Sequence, residues 1–152
     1  MTCPRWNNGV TNVVRDGAFA IYTSVFHPDL FQVLAVKAEN ADEKVRMKTI
    51  SLGVVFPDKY YELLEKGEMM YQFSPYDVER EYGMPFSKFP ISKRYQELVD
   101  NPEITKYQVD PRDIEEEVTK LQQESGYPFR LNIDIANRAS AIDGAIDMSN
   151  IC

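Results

Sequence analysis

Three times in its first half, this chain runs an apolar, strand-like stretch into a proline and then into residues that suit a helix. Gly17 to Phe26, rich in aromatic and β-branched residues, ends at His27-Pro28-Asp29; Thr49 to Phe56 ends at Pro57-Asp58; Met69 to Phe73 ends at Ser74-Pro75-Tyr76-Asp77. Proline lacks an N–H and fixes φ, so it stops a ladder yet fits the first turn of a helix. The pattern predicts helices over Asp29 to Val36, from Pro57 to Gly67 with Tyr60, Leu63 and Leu64 on one face, and from Ser74 to Tyr82. Further on, Ser92 to Asp100 turns Tyr95, Leu98 and Val99 inward before Asn101-Pro102 stops it. Asp110-Pro111 caps the longest helix, Arg112 to Ser125, whose Ile114, Val118 and Leu121 recur at helical spacing until Gly126-Tyr127-Pro128 closes it. Phe129 to Ile135 reads as a strand, Asn40 to Lys48 as a charged, solvent-facing helix, and Gly83 to Pro90 as an irregular connection. Strands alternating with helices point to an α/β architecture with a largely parallel sheet of about four strands. Such a sheet leaves two open edges, which fits a portion of a larger barrel better than a finished domain.

At 152 residues the chain is about one domain, with no internal repeat or low-complexity linker to divide it. A formal net charge of −7 argues against a protein that grips a nucleic-acid backbone. It leaves room for mononucleotides, which a few amides and one or two cations can hold. The longest apolar stretches, such as Ala18 to Tyr22 and Leu52 to Phe56, fall far below the roughly twenty residues of a bilayer crossing, so no membrane role is expected. Met1 to Asp16 has no signal-peptide pattern, and the chain is expected in the cytoplasm. There, Cys3 and Cys152 are expected as free thiols, and with His27 the single histidine, no metal site is expected.

Three strings near the end carry a resemblance: Leu121-Gln122-Gln123-Glu124-Ser125-Gly126-Tyr127-Pro128, Asn137-Arg138-Ala139-Ser140-Ala141-Ile142-Asp143-Gly144 and Met148-Ser149-Asn150-Ile151-Cys152. Phe73-Ser74-Pro75-Tyr76-Asp77-Val78-Glu79-Arg80-Glu81-Tyr82-Gly83 adds a fourth. In order and spacing they resemble the large, catalytic subunit of ribonucleotide reductase, of the class Ib, diphosphate-reducing kind. The resemblance runs from about Arg15 to Cys152, which makes 15–152 a partial catalytic barrel domain and 1–14 a divergent N-terminal segment. The implied fold is a segment of the ten-stranded reductase α/β barrel, parallel strands alternating with helices, ending at the finger loop in the barrel centre.

The resemblance also implies roles. The family carries its radical chemistry on Asn-x-Cys-x-Glu, which here gives Asn150 and Cys152 as catalytic residues. The family's thiyl radical takes hydrogen from the ribose 3′ carbon, a step sulfur suits because S–H and carbohydrate C–H bonds are of similar strength. Asn150, two residues earlier, would orient a ribose hydroxyl with its amide. The glutamate, a general base, would stand two positions past Cys152, so it is expected from another polypeptide or is absent. Arg15-Asp16-Gly17-Ala18 looks like the specificity loop that reads a nucleoside triphosphate effector and touches substrate, although Asn12, Val13 and Val14 replace its usual glycines. On residue type alone, Cys152 is an incidental thiol near a chain end and Arg15 a surface cation before a core strand.

No cofactor is expected to bind directly, the radical being supplied by a metal-containing small subunit. The other implied partners are a ribonucleoside diphosphate substrate, the remaining large-subunit polypeptide and a thiol reductant of the glutaredoxin kind. His27-Pro28-Asp29, Asn40 to Lys44 and the Gln122 to Pro128 string are read as structural. By itself the chain is expected to be inactive and prone to aggregate. Two alternatives remain beside the catalytic reading: a non-catalytic remnant or assembly module of a split reductase, and an unrelated α/β interaction domain.

Overall fold

The computed structural model describes residues 19–38, 50–141 and 143–149. Met1 to Ala18, the charged stretch Asn40 to Lys48, and Asn150 to Cys152 lie outside the described residues, as does Cys3.

The proline-punctuated pattern is realised. Strand β1 (Ala20–Ser24) leads through a turn at His27 to Asp29 into helix α1 (Leu30–Ala35), and β2 (Ser51–Phe56) leads through Pro57 into α2 (Asp58–Lys66). Strand β3 (Met70–Phe73) leads into α3 (Pro75–Tyr82), where Pro75 opens the helix and the Ser74 hydroxyl accepts from Asp77 N at 3.4 Å. A short 3-10 turn (Phe86–Lys88) precedes α4 (Ile91–Asp100), then β4 (Lys106–Val109) and α5 (Pro111–Ser125). Asp110 caps α5 by accepting from Arg112 N at 2.9 Å, and Gly126, at φ +74°, closes it in a left-handed conformation that a Cβ would strain. Strand β5 (Phe129–Asn132) runs directly into α6 (Ile133–Ala139).

Strands β1, β2 and β5 form one parallel sheet in that order, with Tyr22, Gly53 and Phe129 level across it. Because side chains alternate along a strand, Leu52, Val54 and Phe56 share one face, and all three are buried. Their core continues through Leu30 and Leu34 of α1, Tyr60 and Leu63 of α2, and Ile114, Val118 and Leu121 of α5. Each aliphatic side chain so buried contributes about 1.5–3 kcal/mol. The opposite face, with Tyr22, Ser24, Ser51, Val55 and Leu131, is half-buried. On that face the Tyr22 ring lies over Gly53 so closely that a Cβ at 53 would come within 2.3 Å of it.

Strand β3 departs from the expected parallel sheet. It pairs antiparallel with β4, Met70 opposite Val109 and Phe73 opposite Lys106. The pair is fastened to the outgoing end of β1, where Phe73 N donates to Phe26 O at 2.9 Å and the buried Gln72 Nε2 donates to Val25 O at 3.2 Å. Phe26, Phe73 and Tyr95 close the junction as a cluster of rings with centroids 5.6 to 6.5 Å apart.

The second departure is a correction at the end of the chain. The strand expected over Phe129 to Ile135 stops at Asn132, and Ile133 begins a helix. Phe-Arg-Leu-Asn-Ile-Asp-Ile alternates like a strand, but three bonds formed to residues elsewhere in the fold decide otherwise. Tyr61 OH donates to Asn132 Oδ1 at 2.6 Å, and Asp134 receives donors from two neighbouring helices.

Candidate functional site

The parallel strands β2 and β5 end side by side, Phe56 level with Asn132. Open α/β sheets present ligands at such strand ends, and here the ends are joined by a polar cluster built on α6. Asp134, in the first turn of α6, accepts through Oδ2 from Asp58 N at 2.7 Å and from Ser92 Oγ at 2.5 Å. It thereby satisfies an amide at the start of α2, which has no partner within its own helix. Arg138, one turn later, pairs through Nη1 with Asp58 Oδ2 at 2.5 Å. That hydrogen bond holds the Arg138 guanidinium above its ordinary pKa. Both carboxylates are engaged by donors, and the cluster locks α2, α4 and α6 together rather than offering a base.

Asn137 lies between those two residues in sequence and reaches the other way. Its Nδ2 donates to Ile133 O at 2.9 Å and to Ile146 O at 3.0 Å, while its Oδ1 accepts from Ile146 N at 2.7 Å. The stretch from Ser140 to Ser149 contains no helix or strand among its described residues, and Gly144 turns within it at φ +117°.

Beneath the sheet, on the side of α2 and α5, a second polar set gathers around the buried Tyr60, with Glu115 and Arg130 half-buried. Tyr60 OH donates toward Pro111 O and Glu115 Oε2, each at 3.1 Å, and Arg130 Nη2 donates to Glu115 Oε1 at 2.6 Å. Burial, reinforced by the Glu115 carboxylate, pushes the Tyr60 phenol far above its usual range, so it remains a neutral donor. An open groove of about 410 Å³ runs along the outside of these helices, past Leu64, Arg112, Glu116 and Lys120. Its lining includes no residue of the strand ends. Among the described residues, no three His, Cys, Asp or Glu side chains gather to hold a metal, and no helix is long and apolar enough to cross a membrane.

Cys152 and Asn150, with Arg15, Asp16, Gly17 and Ala18, all lie outside the described residues. What is described stops next to both groups. Phe19 O accepts from Ser51 N at 3.0 Å, which fixes the chain to β2 directly after Ala18, and the stretch held by Asn137 reaches Ser149. His27 takes a local role, its Nδ1 accepting from Asp29 N at 3.1 Å in the turn before α1. The Gln122 to Pro128 string is architectural: Gln122 Nε2 donates to Pro128 O at 2.8 Å, and Tyr127 OH meets Ser51 Oγ at 3.2 Å. Sequence reasoning missed Asp58, Ser92, Asp134 and the separate task of Asn137. The signal was present in Asp134, Asn137 and Arg138, polar residues spaced by three and four, a helical period concealed inside the strand-like alternation.

Comparison with known proteins gives one consistent result. A family model described as the ribonucleotide reductase barrel domain matches residues 8–152. The chain is 46% identical over 138 residues to a ribonucleoside-diphosphate reductase subunit alpha of Mycoplasma pneumoniae and 44% identical over 138 residues to that of Mycoplasma genitalium. It is 37% identical over 140 residues to that of Bacillus subtilis. In each case the match covers 91% of this chain; it covers 19% of each Mycoplasma protein and 20% of the Bacillus one. The chain thus spans about a fifth of the length of these relatives.

Proposed function

The chain belongs to the ribonucleotide reductase family through that family's barrel domain, and on this premise we propose that it is the catalytic-subunit segment of a ribonucleoside-diphosphate reductase, carrying the radical cysteine at Cys152. The observation that carries the reading is the barrel-domain match over residues 8–152, which includes the string Ser149-Asn150-Ile151-Cys152. In this reading a metal-containing small subunit oxidises the Cys152 thiol by one electron, with loss of its proton. The sulfur radical then takes the 3′ hydrogen of a ribonucleoside diphosphate, forming S–H and leaving a carbon radical. The 2′ hydroxyl departs as water, and a separate pair of thiols supplies two electrons and two protons and becomes a disulfide. The hydrogen on sulfur returns to C3′, which restores the radical. Asn150 orients the substrate through a ribose hydroxyl, and a carboxylate outside these residues takes the 3′ hydroxyl proton.

Arg15, Asp16, Gly17 and Ala18 contribute to nucleotide recognition, a triphosphate effector reporting through them to the substrate. A glutaredoxin-like thiol protein recharges the dithiol, and the reducing cytoplasm suits both it and the cysteine. The test is turnover by the complete large subunit with its small subunit and a dithiol reductant. Cys152→Ser is expected to abolish deoxynucleotide formation, because an alkoxyl radical is too costly to generate. Undiminished turnover by that variant would remove Cys152 from the chemistry and favour a non-catalytic role for this segment.

A further inference from the structure

We propose that Asn137 is a positioning residue for the radical chemistry, a two-point hook that sets how far and in which orientation the chain beyond Ile146 presents Cys152. The inference rests on the reading of Cys152 as the radical site and adds a residue to it.

Asn137 makes the contact a neighbouring strand would make. One side-chain amide exchanges both hydrogen bonds with a single residue, accepting from Ile146 N at 2.7 Å and donating to Ile146 O at 3.0 Å. Two bonds to one residue fix its rotation as well as its place, which a single bond does not. The second Nδ2 hydrogen goes to Ile133 O at 2.9 Å, one turn back on the same helix, so the amide is aimed before it binds. The helix is itself held at both ends, by Asp134 on Asp58 N and Ser92 and by Arg138 on Asp58. Asp58 begins α2 directly after β2, so the hook is referenced to the sheet. Between Ser140 and Ser149 the described backbone has no ladder or helix of its own to set its register.

Cys152 stands six positions after Ile146, and six residues of fully extended chain reach at most about 20 Å. A slip of one residue along an extended chain is a displacement of about 3.3 Å. Hydrogen transfer between sulfur and carbon does not tolerate such a displacement, since misplacement by about 1 Å costs on the order of a hundredfold in rate.

The experiment places Asn137→Ala and Asn137→Asp in the complete large subunit and assays both with the small subunit, beside Cys152→Ser. Asn137→Ala is expected to lower kcat by about 10–100-fold while KM for the ribonucleoside diphosphate stays within about twofold. The alkylation rate of the Cys152 thiol by iodoacetamide, without small subunit, is expected to shift with it. Asn137→Asp is isosteric, so it also serves where the alanine variant folds poorly. Its carboxylate cannot donate to Ile146 O, but the protonated acid can. Its kcat relative to the parent at the same pH should therefore recover as pH falls, with KM unchanged and the alkylation rate of the Cys152 thiol returning alongside it. Parental kcat in both variants, with Cys152→Ser inactive, overturns this inference and leaves the functional reading standing. An Asn137→Asp deficit that is flat with pH also overturns it. Turnover by Cys152→Ser brings down the functional reading itself, and this inference with it.

Discussion

Tyr60→Phe removes one oxygen atom from the centre of the packing between β2, α2 and α5, and the structure fixes what that should cost. The ring is fully buried and stays filled by phenylalanine, so no cavity opens. The loss is the hydroxyl, which lies 3.1 Å from both Pro111 O and Glu115 Oε2. Glu115 is half-buried and keeps Arg130 Nη2 at 2.6 Å, so the variant leaves no carboxylate without a partner. What remains is a charge-assisted bond exchanged for solvation, about 1–2 kcal/mol. Hydrogen exchange followed by mass spectrometry reads this locally: amides in the first turns of α5 should lose protection by about 5–30-fold, and those of β3 and β4 should be unchanged. The Tyr60 phenol has a pKa raised by burial and then by Glu115, above the value of about 10 it has in the unfolded chain. Its contribution is therefore complete below pH 10 and is lost as pH rises above it, by up to about 1.4 kcal/mol per pH unit. The parent should lose thermal stability more steeply than Tyr60→Phe between pH 10 and 11; Tyr95, raised by burial too, leaves a residual slope in both. Protection of α5 unchanged within twofold, together with parallel alkaline slopes, would refute the reasoning.

The close approach at Gly53 and the acid-sensitive contact at Asp77 give two further expectations. Gly53→Ala drives a methyl group into the Tyr22 ring and should cost about 1–3 kcal/mol in urea denaturation, and combining it with Tyr22→Ala should recover part of that loss; simple additivity of the two changes would count against the contact. Hydrogen bonds from Thr105, including its backbone N–H at 3.0 Å, hold the Asp77 carboxyl below its ordinary pKa. Its stabilisation is present above about pH 4 and lost as pH falls through the lower folded value, so the thermal midpoint of the parent should drop more between pH 5 and 3 than that of Asp77→Asn; equal drops would contradict it.

The elements legible in the sequence were those whose signals are local. Pro28, Pro57 and Pro75 break strands and start helices whatever surrounds them, and Ile114, Val118 and Leu121 declare a buried stripe by spacing alone. The partner of β3 was not legible, because its four residues suit a parallel or an antiparallel neighbour equally. What decides is β4, a strand with Tyr107 and Gln108 exposed and no apolar alternation to announce it. α6 was misread for a related reason: Asn132 and Asp134 are held by Tyr61, Asp58 and Ser92, residues 42 to 76 positions away, and no window of local sequence contains them. The candidate site divides likewise. Cys152, Asn150 and Arg15 are proposed from strings alone and lie outside the described residues, whereas the grip of Asn137 on Ile146 needs the fold.

The pairing of β2 with β5 has a consequence for how the chain is born. Gly53 lies level with Phe129, 76 positions later. At about 5–20 residues per second, a ribosome needs roughly 4–15 s to deliver the second strand after the first. Helices α2 to α5 can coil during that interval, but one flank of β2 stays open until β5 emerges. Nascent chains of this protein thus carry an unpaired strand edge, open to misassociation, until β5 arrives, and that edge is what a chaperone would have to shield.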